Sequence, residues 1–161
     1  MRVALISDTH MPRGQRRIPE ACLDAMRAAD TIVHAGDFSE SEVLASLREL
    51  GPPIVAVHGN VDSPELKAAL PTTTEFDAGA LRIGVIHDAG RARSRLARMR
   101  ARFPDCDAVV FGHSHLPLHE ESDGFHIFNP GSPTERRQAP HHSFGILDTG
   151  TDVPVFRHVL I

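Results

Sequence analysis

The chain has 161 residues, 41% hydrophobic and 24% charged, an ordinary balance for a soluble globular protein. A formal net charge of −4 gives bulk electrostatics no reason to recruit nucleic acid or an anionic membrane. No apolar run approaches the roughly 20 residues that span a bilayer, and the run before Asp8 is too short for a signal-peptide core.

These features read as one cytoplasmic domain, 1–161. Cys22 and Cys106 lack CxxC spacing and read as free thiols in a reducing cytosol. The unusual number is the 11 histidines.

In chain order, the first apolar run is 3–7 and is followed by a helical pattern over Pro19 to Ala28. A second run, 31–35, leads into a helix from Ser39 to Leu50, with Ser39 and Glu42 spaced as a capping box. The third run, 53–58, precedes a short helix opening at Ser63 with Pro64 in its first turn. The fourth, 81–87, precedes a helix from Ser94 to Phe103 with the apolar stripe Leu96, Met99 and Phe103. The fifth is 108–111. Their continuous Val, Ile and Leu character suits strands covered on both faces. Alternation of strand and helix then argues a mostly parallel sheet.

After residue 115 the pattern changes. Two short strands flank the Ser122-Asp123-Gly124 turn, and Asn129 to Ser132 forms a further tight turn. Runs 143–148 and 154–161 read as antiparallel strands joined at Thr149-Gly150. The fold expected is a four-layer α/β/β/α sandwich with a mostly parallel first sheet and an antiparallel-rich second sheet.

Each of the five early strands ends in metal-binding residue types. The ends are Asp8 and His10, Asp37, Asn60, His87, and His113 with His115. Ligands of open α/β sheets bind beyond the carboxyl ends of the strands, so these seven donors should meet at one edge. Seven N and O donors without sulfur exceed the needs of one metal ion.

In order, "SDTH", "AGDF", "HGNVD", "IHD" and "FGHSH" resemble the motifs of the calcineurin-like metallophosphoesterases. The similarity is to the small bacterial and archaeal phosphodiesterase branch, itself similar in fold to the retromer scaffold subunit. "NPGS" at 129–132 also fits that branch. The resemblance implies one metal on Asp8, His10, Asp37 and His115, and another on Asp37, Asn60, His87 and His113, with Asp37 bridging. Asp37, Asn60 and His87 are taken as the catalytic members. Many members of the wider superfamily carry a histidine after the GN dipeptide, where this chain has Val61.

Two divalent ions sharing a water lower its pKa enough to supply hydroxide near neutral pH for in-line attack on phosphorus. The donor set favours Mn²⁺, with Fe, Ni²⁺ or Zn²⁺ as alternatives, over Mg²⁺ or Ca²⁺. The expected partner is a small phosphodiester; nucleic acid enters only as substrate, no membrane is involved, and homo-oligomer formation is open. Arg13, Arg16 and Arg17, after the first ligand loop, are the expected substrate-phosphate binders.

Bland roles are the expectation elsewhere. His34 and His58 read as structural or supporting groups, and Asp62 as part of a turn feeding a helix. His119, His126, His141, His142 and His158 lack ligand spacing and default to solvent or packing. The six arginines of 91–102 read as a solvated helix face rather than a nucleic-acid patch. Rival functions are a protein-binding scaffold of the retromer-subunit type with little or no catalysis, a phosphomonoesterase, and a nucleic-acid-binding module.

Overall fold

Val3, Ala4, Leu5 and Ile6 have no solvent exposure, because the strand they form is covered on both faces. The computed structural model describes residues 1–150 and 153–161. The elements of the first half are β1 (Arg2–Ile6), α1 (Glu20–Arg27), β2 (Thr31–His34), α2 (Ser41–Arg48), β3 (Ile54–Ala56), α3 (Pro64–Ala69) and β4 (Thr73–Ala78). The second half adds β5 (Leu81–Ile86), α4 (Arg95–Arg102), β6 (Ala108–Val110), β7 (Leu118–Ser122), β8 (Phe125–Asn129), β9 (Ser143–Asp148) and β10 (Val155–Leu160).

One sheet has the order β10-β9-β1-β2-β3 and the other β4-β5-β6-β8-β7. In the first, β1, β2 and β3 are parallel, while β9 runs antiparallel to both β1 and β10. In the second, β5, β6 and β8 are parallel, flanked by antiparallel β4 and β7.

Three apolar clusters fill the spaces of the expected four-layer sandwich. Ala4, Ile6 and Ile32 face Met26 of α1 and Leu44 and Leu47 of α2. Val3, Leu5 and Val33 face Ile83, Val85, Val110 and Phe128 between the sheets. Ile86, Val109 and Ile127 pack with Met99 of α4 and with Phe103. Alternate residues of β1 thus enter different clusters, as the period-2 geometry of a strand requires. The stripe of Met99 and Phe103 is buried as expected, with Leu96 packed beside it.

The allotment of strands differs from the sequence expectation. The runs at 81–87 and 108–111 lie in the second sheet, the C-terminal pair completes the first, and both sheets are mixed. A strand covered on both faces has the same apolar signature in either sheet. β4 escaped notice because it is an edge strand whose residues are mostly half-buried or exposed.

Local signals fared unevenly. Ser63 caps α3 through Leu66 N–H, with Pro64 in the first turn, as expected. The capping box at Ser39 does not form. Ser39 has φ 89° and gives its N–H to Asp62 Oδ1 at 2.8 Å, so helical geometry starts only at Ser41. The β7–β8 hairpin turns at Asp123 and Gly124, both at positive φ, with Ser122 opposite Phe125. The link expected at Thr149-Gly150 is longer, because pairing resumes at Val155 opposite Asp148; its residues 151–152 lie outside the described residues. Among the described residues, no helix is long and apolar enough to cross a membrane.

Candidate metal centre

The loops that leave β1, β2, β3, β5 and β6 meet at one edge of the sandwich, and their backbones are unusual there. Asp8 (φ 56°), His10 (45°), Asp37 (62°), His113 (69°) and His115 (59°) all occupy the left-handed region. Each such residue costs about 1–2 kcal/mol relative to ordinary backbone, and strain of this kind gathers at functional sites. The glycines of the motifs permit close approach. A Cβ on Gly59 would stand 2.0 Å from Asp37 Oδ1, and one on Gly112 would stand 2.8 Å from Asp8 Oδ2.

The side chains form two overlapping clusters, Asp8 with His10 and His115, and Asp8 with Asp37 and His87, each with donor atoms within 4.8 Å of one another. His10 Nε2 lies 3.1 Å from His115 Nε2 and 3.5 Å from Asp37 Oδ2. On the other side, His87 Nε2 lies 3.3 Å from Asp37 Oδ2 and 3.1 Å from Asn60 Oδ1. His113 Nδ1 completes this group, 3.0 Å from Asn60 Oδ1 and 3.3 Å from His87 Nε2. All seven donors read from the sequence are therefore brought together. Asp8 and Asp37 are both near the two sides.

The surroundings fix which atoms face inward. His87 Nδ1 donates to Ala35 O at 2.8 Å, and His115 Nδ1 donates to Glu135 O. A carbonyl only accepts, so in each neutral ring the Nε2 lone pair points into the cluster. His10 Nδ1 is buried without a hydrogen-bond partner among the described residues. Lone pairs and carboxylates pointing at one another are a fit for divalent cations, which would satisfy them all.

Burial pushes the Asp8 carboxyl up to about 7, against the opposing pull of His87, Ser7 and the His113 amide. Burial also raises Asp37, but hydrogen bonding to His87, the His87 charge and the Val61 amide outweigh it and bring that carboxyl down to about 2. Burial lowers His10, and lowers His115 to about 4. His87 is lowered by burial and raised more by Asp37, so its net shift is upward.

A layer of supporting groups holds the loops. Asp62 is buried and accepts from the backbone N–H groups of Gly59 (2.7 Å), Asp37 (3.1 Å) and Ser39 (2.8 Å), a structural role. Ser132 Oγ donates to Asp8 O, and Asn129 Nδ2 donates to Gly112 O, so the NPGS turn ties the first and last ligand loops together. His34 is buried, bonded to Thr9 and stacked on Phe38, and is not among the donors.

Beside Asn60 and His87 opens a cavity of about 300 Å³, with His58, Lys67, Asp88 and Arg102 in its walls. The three arginines read as phosphate binders are spread out. Arg16 reaches the rim, donating to Glu135 Oε1 at 2.6 Å and to His10 O at 3.4 Å. Arg13 is exposed close enough to His10 to lower its basicity. Arg17 lines a separate groove with Met11, Leu23 and Leu47.

Sequence reasoning missed Glu135, whose Oε2 is 3.7 Å from His10 Nε2. The only signal was an acid between NPGS and two arginines. Two arginines of α4 bind the protein itself, Arg98 to Ala89 O and Arg91 O, and Arg100 to Ser122 O and Asp123 O.

The profile of the calcineurin-like phosphoesterase superfamily domain matches residues 1–152. A probable metallophosphoesterase of Methanothermobacter thermautotrophicus is 34% identical over 139 residues, 85% of this chain and 80% of its own. Phosphodiesterase YfcE of Escherichia coli is 26% identical over 168 residues, covering 92% and 88% of the two chains. Among solved structures, wild-type Vps29 of Entamoeba histolytica complexed with Zn²⁺ has a TM-score of 0.78 at 25% identity, over 99% of each chain. With its five motifs, two mixed sheets and shared donor clusters, the chain belongs to the calcineurin-like phosphoesterase superfamily.

Proposed function

We propose that the protein is a phosphodiesterase holding two divalent ions, Mn²⁺ by preference. One sits on Asp8, His10, Asp37 and His115, and the other on Asp37, Asn60, His87 and His113. The observation that carries this reading is Asp37 Oδ2, 3.5 Å from His10 Nε2 and 3.3 Å from His87 Nε2, within reach of both sides. All seven donor positions are filled, which favours catalysis over a purely scaffolding role. The phosphodiesterase name of the Escherichia coli relative supports the same reading, and two free thiols suit a reducing cytosol.

Two such ions, when bound, activate water and polarise phosphoryl oxygens. The chain's own residues do the positioning. The Ala35 and Glu135 carbonyls hold the His87 and His115 tautomers that present Nε2 inward. Asn60 adds an oxygen donor without adding negative charge to the open side. The cavity beside Asn60 and His87 takes the organic group of the substrate, with Lys67 and Arg102 supplying positive charge at its walls. Arg13 and Arg16 serve the phosphate from the opposite rim. Glu135, on that rim, disfavours the second negative charge of a monoester.

No proton donor stands at Val61, whose N–H is given to Asp37 Oδ1 at 3.0 Å. On this reading the leaving group is protonated by solvent. Matched aryl monoesters and diesters at equal Mn²⁺ loading test the proposal through kcat/KM. The diester should lead by roughly tenfold or more, and a consistent lead for the monoester contradicts the reading.

A further inference from the structure

The β7–β8 hairpin carries two histidines that share none of the strand-end donors. His119 stands diagonally from His126, because His119 pairs with Phe128 and Glu121 pairs with His126. His119, Glu121, His126 and Phe128 therefore project from one face of the hairpin. The short turn at Asp123 and Gly124 fixes that register.

As a result, His119 Nε2 lies 3.1 Å from His126 Nδ1, with the rings stacked at 5.4 Å. Phe156 of β10 backs both rings, at 5.2 Å from His119 and 5.1 Å from His126. The pair thus sits on an apolar ledge at the seam between the two sheets, with His119 open to solvent.

A single N–H···N bond between neutral imidazoles would account for the contact by itself. The spacing also suits a chelate. Two nitrogens each about 2.0–2.1 Å from a tetrahedral ion stand about 3.3 Å apart, so the nitrogens need separate by only a few tenths of an ångström while the rings turn to aim both lone pairs at the ion. Both rings are biased to the neutral form that binds metals. Burial lowers the proton affinity of each, and His119 is lowered further by His126 and His158. Glu121 projects from the same face, with its Oε1 accepting from Gly124 N–H at 2.8 Å at the turn.

We propose that His119 and His126 chelate one divalent ion of the Ni²⁺, Cu²⁺ and Zn²⁺ group, apart from the catalytic pair. Imidazole donors select these ions over Mg²⁺ and Ca²⁺. Binding needs both facing lone pairs, so the ring that donates the N–H···N bond moves its proton to its other nitrogen. His119 then carries Nδ1–H and His126 carries Nε2–H, with no net proton release. Water fills the remaining positions on the exposed side.

Equilibrium dialysis of the whole chain against micromolar Zn²⁺, followed by metal analysis, tests this. Wild type should hold one ion more than either His119→Gln or His126→Gln, with Mn²⁺-supported diester turnover unchanged. His141→Gln, at an exposed histidine on the 139–142 segment, should keep the wild-type count. Equal counts in wild type and both hairpin variants overturn the proposal, as does an equal loss in His141→Gln. If a hairpin variant fails to fold, the ¹⁵N resonances of the two rings in wild type decide. They should shift on adding Zn²⁺, and unmoved resonances overturn the site.

Discussion

Asp8, His10 and His115 are fully buried, whereas the His113 side chain is 45% exposed and Asn60 opens on a cavity with His87. The buried side takes Asp8 and a share of Asp37, and the NPGS turn and Glu135 hold its loops. The open side combines neutral Asn60, His87 and His113 with a share of Asp37. Concentrated negative charge in a dry setting retains a cation strongly, because low dielectric strengthens the attraction. Neutral donors beside a cavity leave room for a substrate oxygen. In the proposed function, the difference assigns retention of metal to one side and exchange of ligands to the other.

Removing what the two sides share should have the largest effect. Asp37→Ala is expected to lower diester turnover by about 10³-fold or more with any metal, because neither side keeps its common carboxylate. Circular dichroism should still report a folded sandwich. Near-wild-type turnover with metal bound would remove Asp37 from the centre.

The open side lacks a proton donor at Val61. A positioned general acid is typically worth 10²–10⁴-fold, so the wild-type rate should fall steeply as leaving-group pKa rises. Aryl esters should far outrun alkyl ones, and Val61→His should flatten the slope if its ring reaches the leaving oxygen. Asp62 is no substitute, since three backbone amides occupy its carboxylate. A shallow wild-type slope, with chemistry rate-limiting, would reveal a donor elsewhere.

The two sides should also differ in affinity. A chelator titration should remove one ion well before the other, with dissociation constants separated by roughly tenfold or more. His113→Ala should weaken only the looser ion. Simultaneous loss of both ions, or loss of both in His113→Ala, would erase the distinction drawn between the sides.

The smallest effect concerns the metal-free protein. Burial pushes the Asp8 carboxyl up to about 7 in the fold, from an ordinary value of 3.8. Between those values the folded state holds a proton that the unfolded state releases, so stability from this group is full below about 4 and is lost as pH rises through about 7. Asp8→Asn removes that loss. At pH 8, without metal, the variant's Tm should exceed wild type by on the order of 5 °C, while its metal affinity falls. An unchanged or lower Tm would mean the buried charge is relieved in another way.

The strand ends were legible because each motif couples an apolar run to a polar turn, and sheet geometry places such turns at one edge. Sheet membership was not legible, since Ile83 and Val109 are as completely buried as Val3. Ser39 misled because its spacing to Glu42 mimics a cap, while the real constraint is the distant carboxylate of Asp62. Glu135 and the His119–His126 pair escaped because their meaning lies in contacts across loops and strands that linear spacing does not encode. The arginines after His10 were credited as a group, yet Arg16 is paired with Glu135 and Arg17 turns toward α1 and α2.

The proposed function needs two ions acting together across the buried and open sides. Its most direct test is diester turnover by wild-type protein as a function of Mn²⁺ bound per chain. Turnover should stay low while the first ion fills the buried side, then rise with the second and level off at two. Full turnover at one ion per chain, or none at any loading, would contradict it.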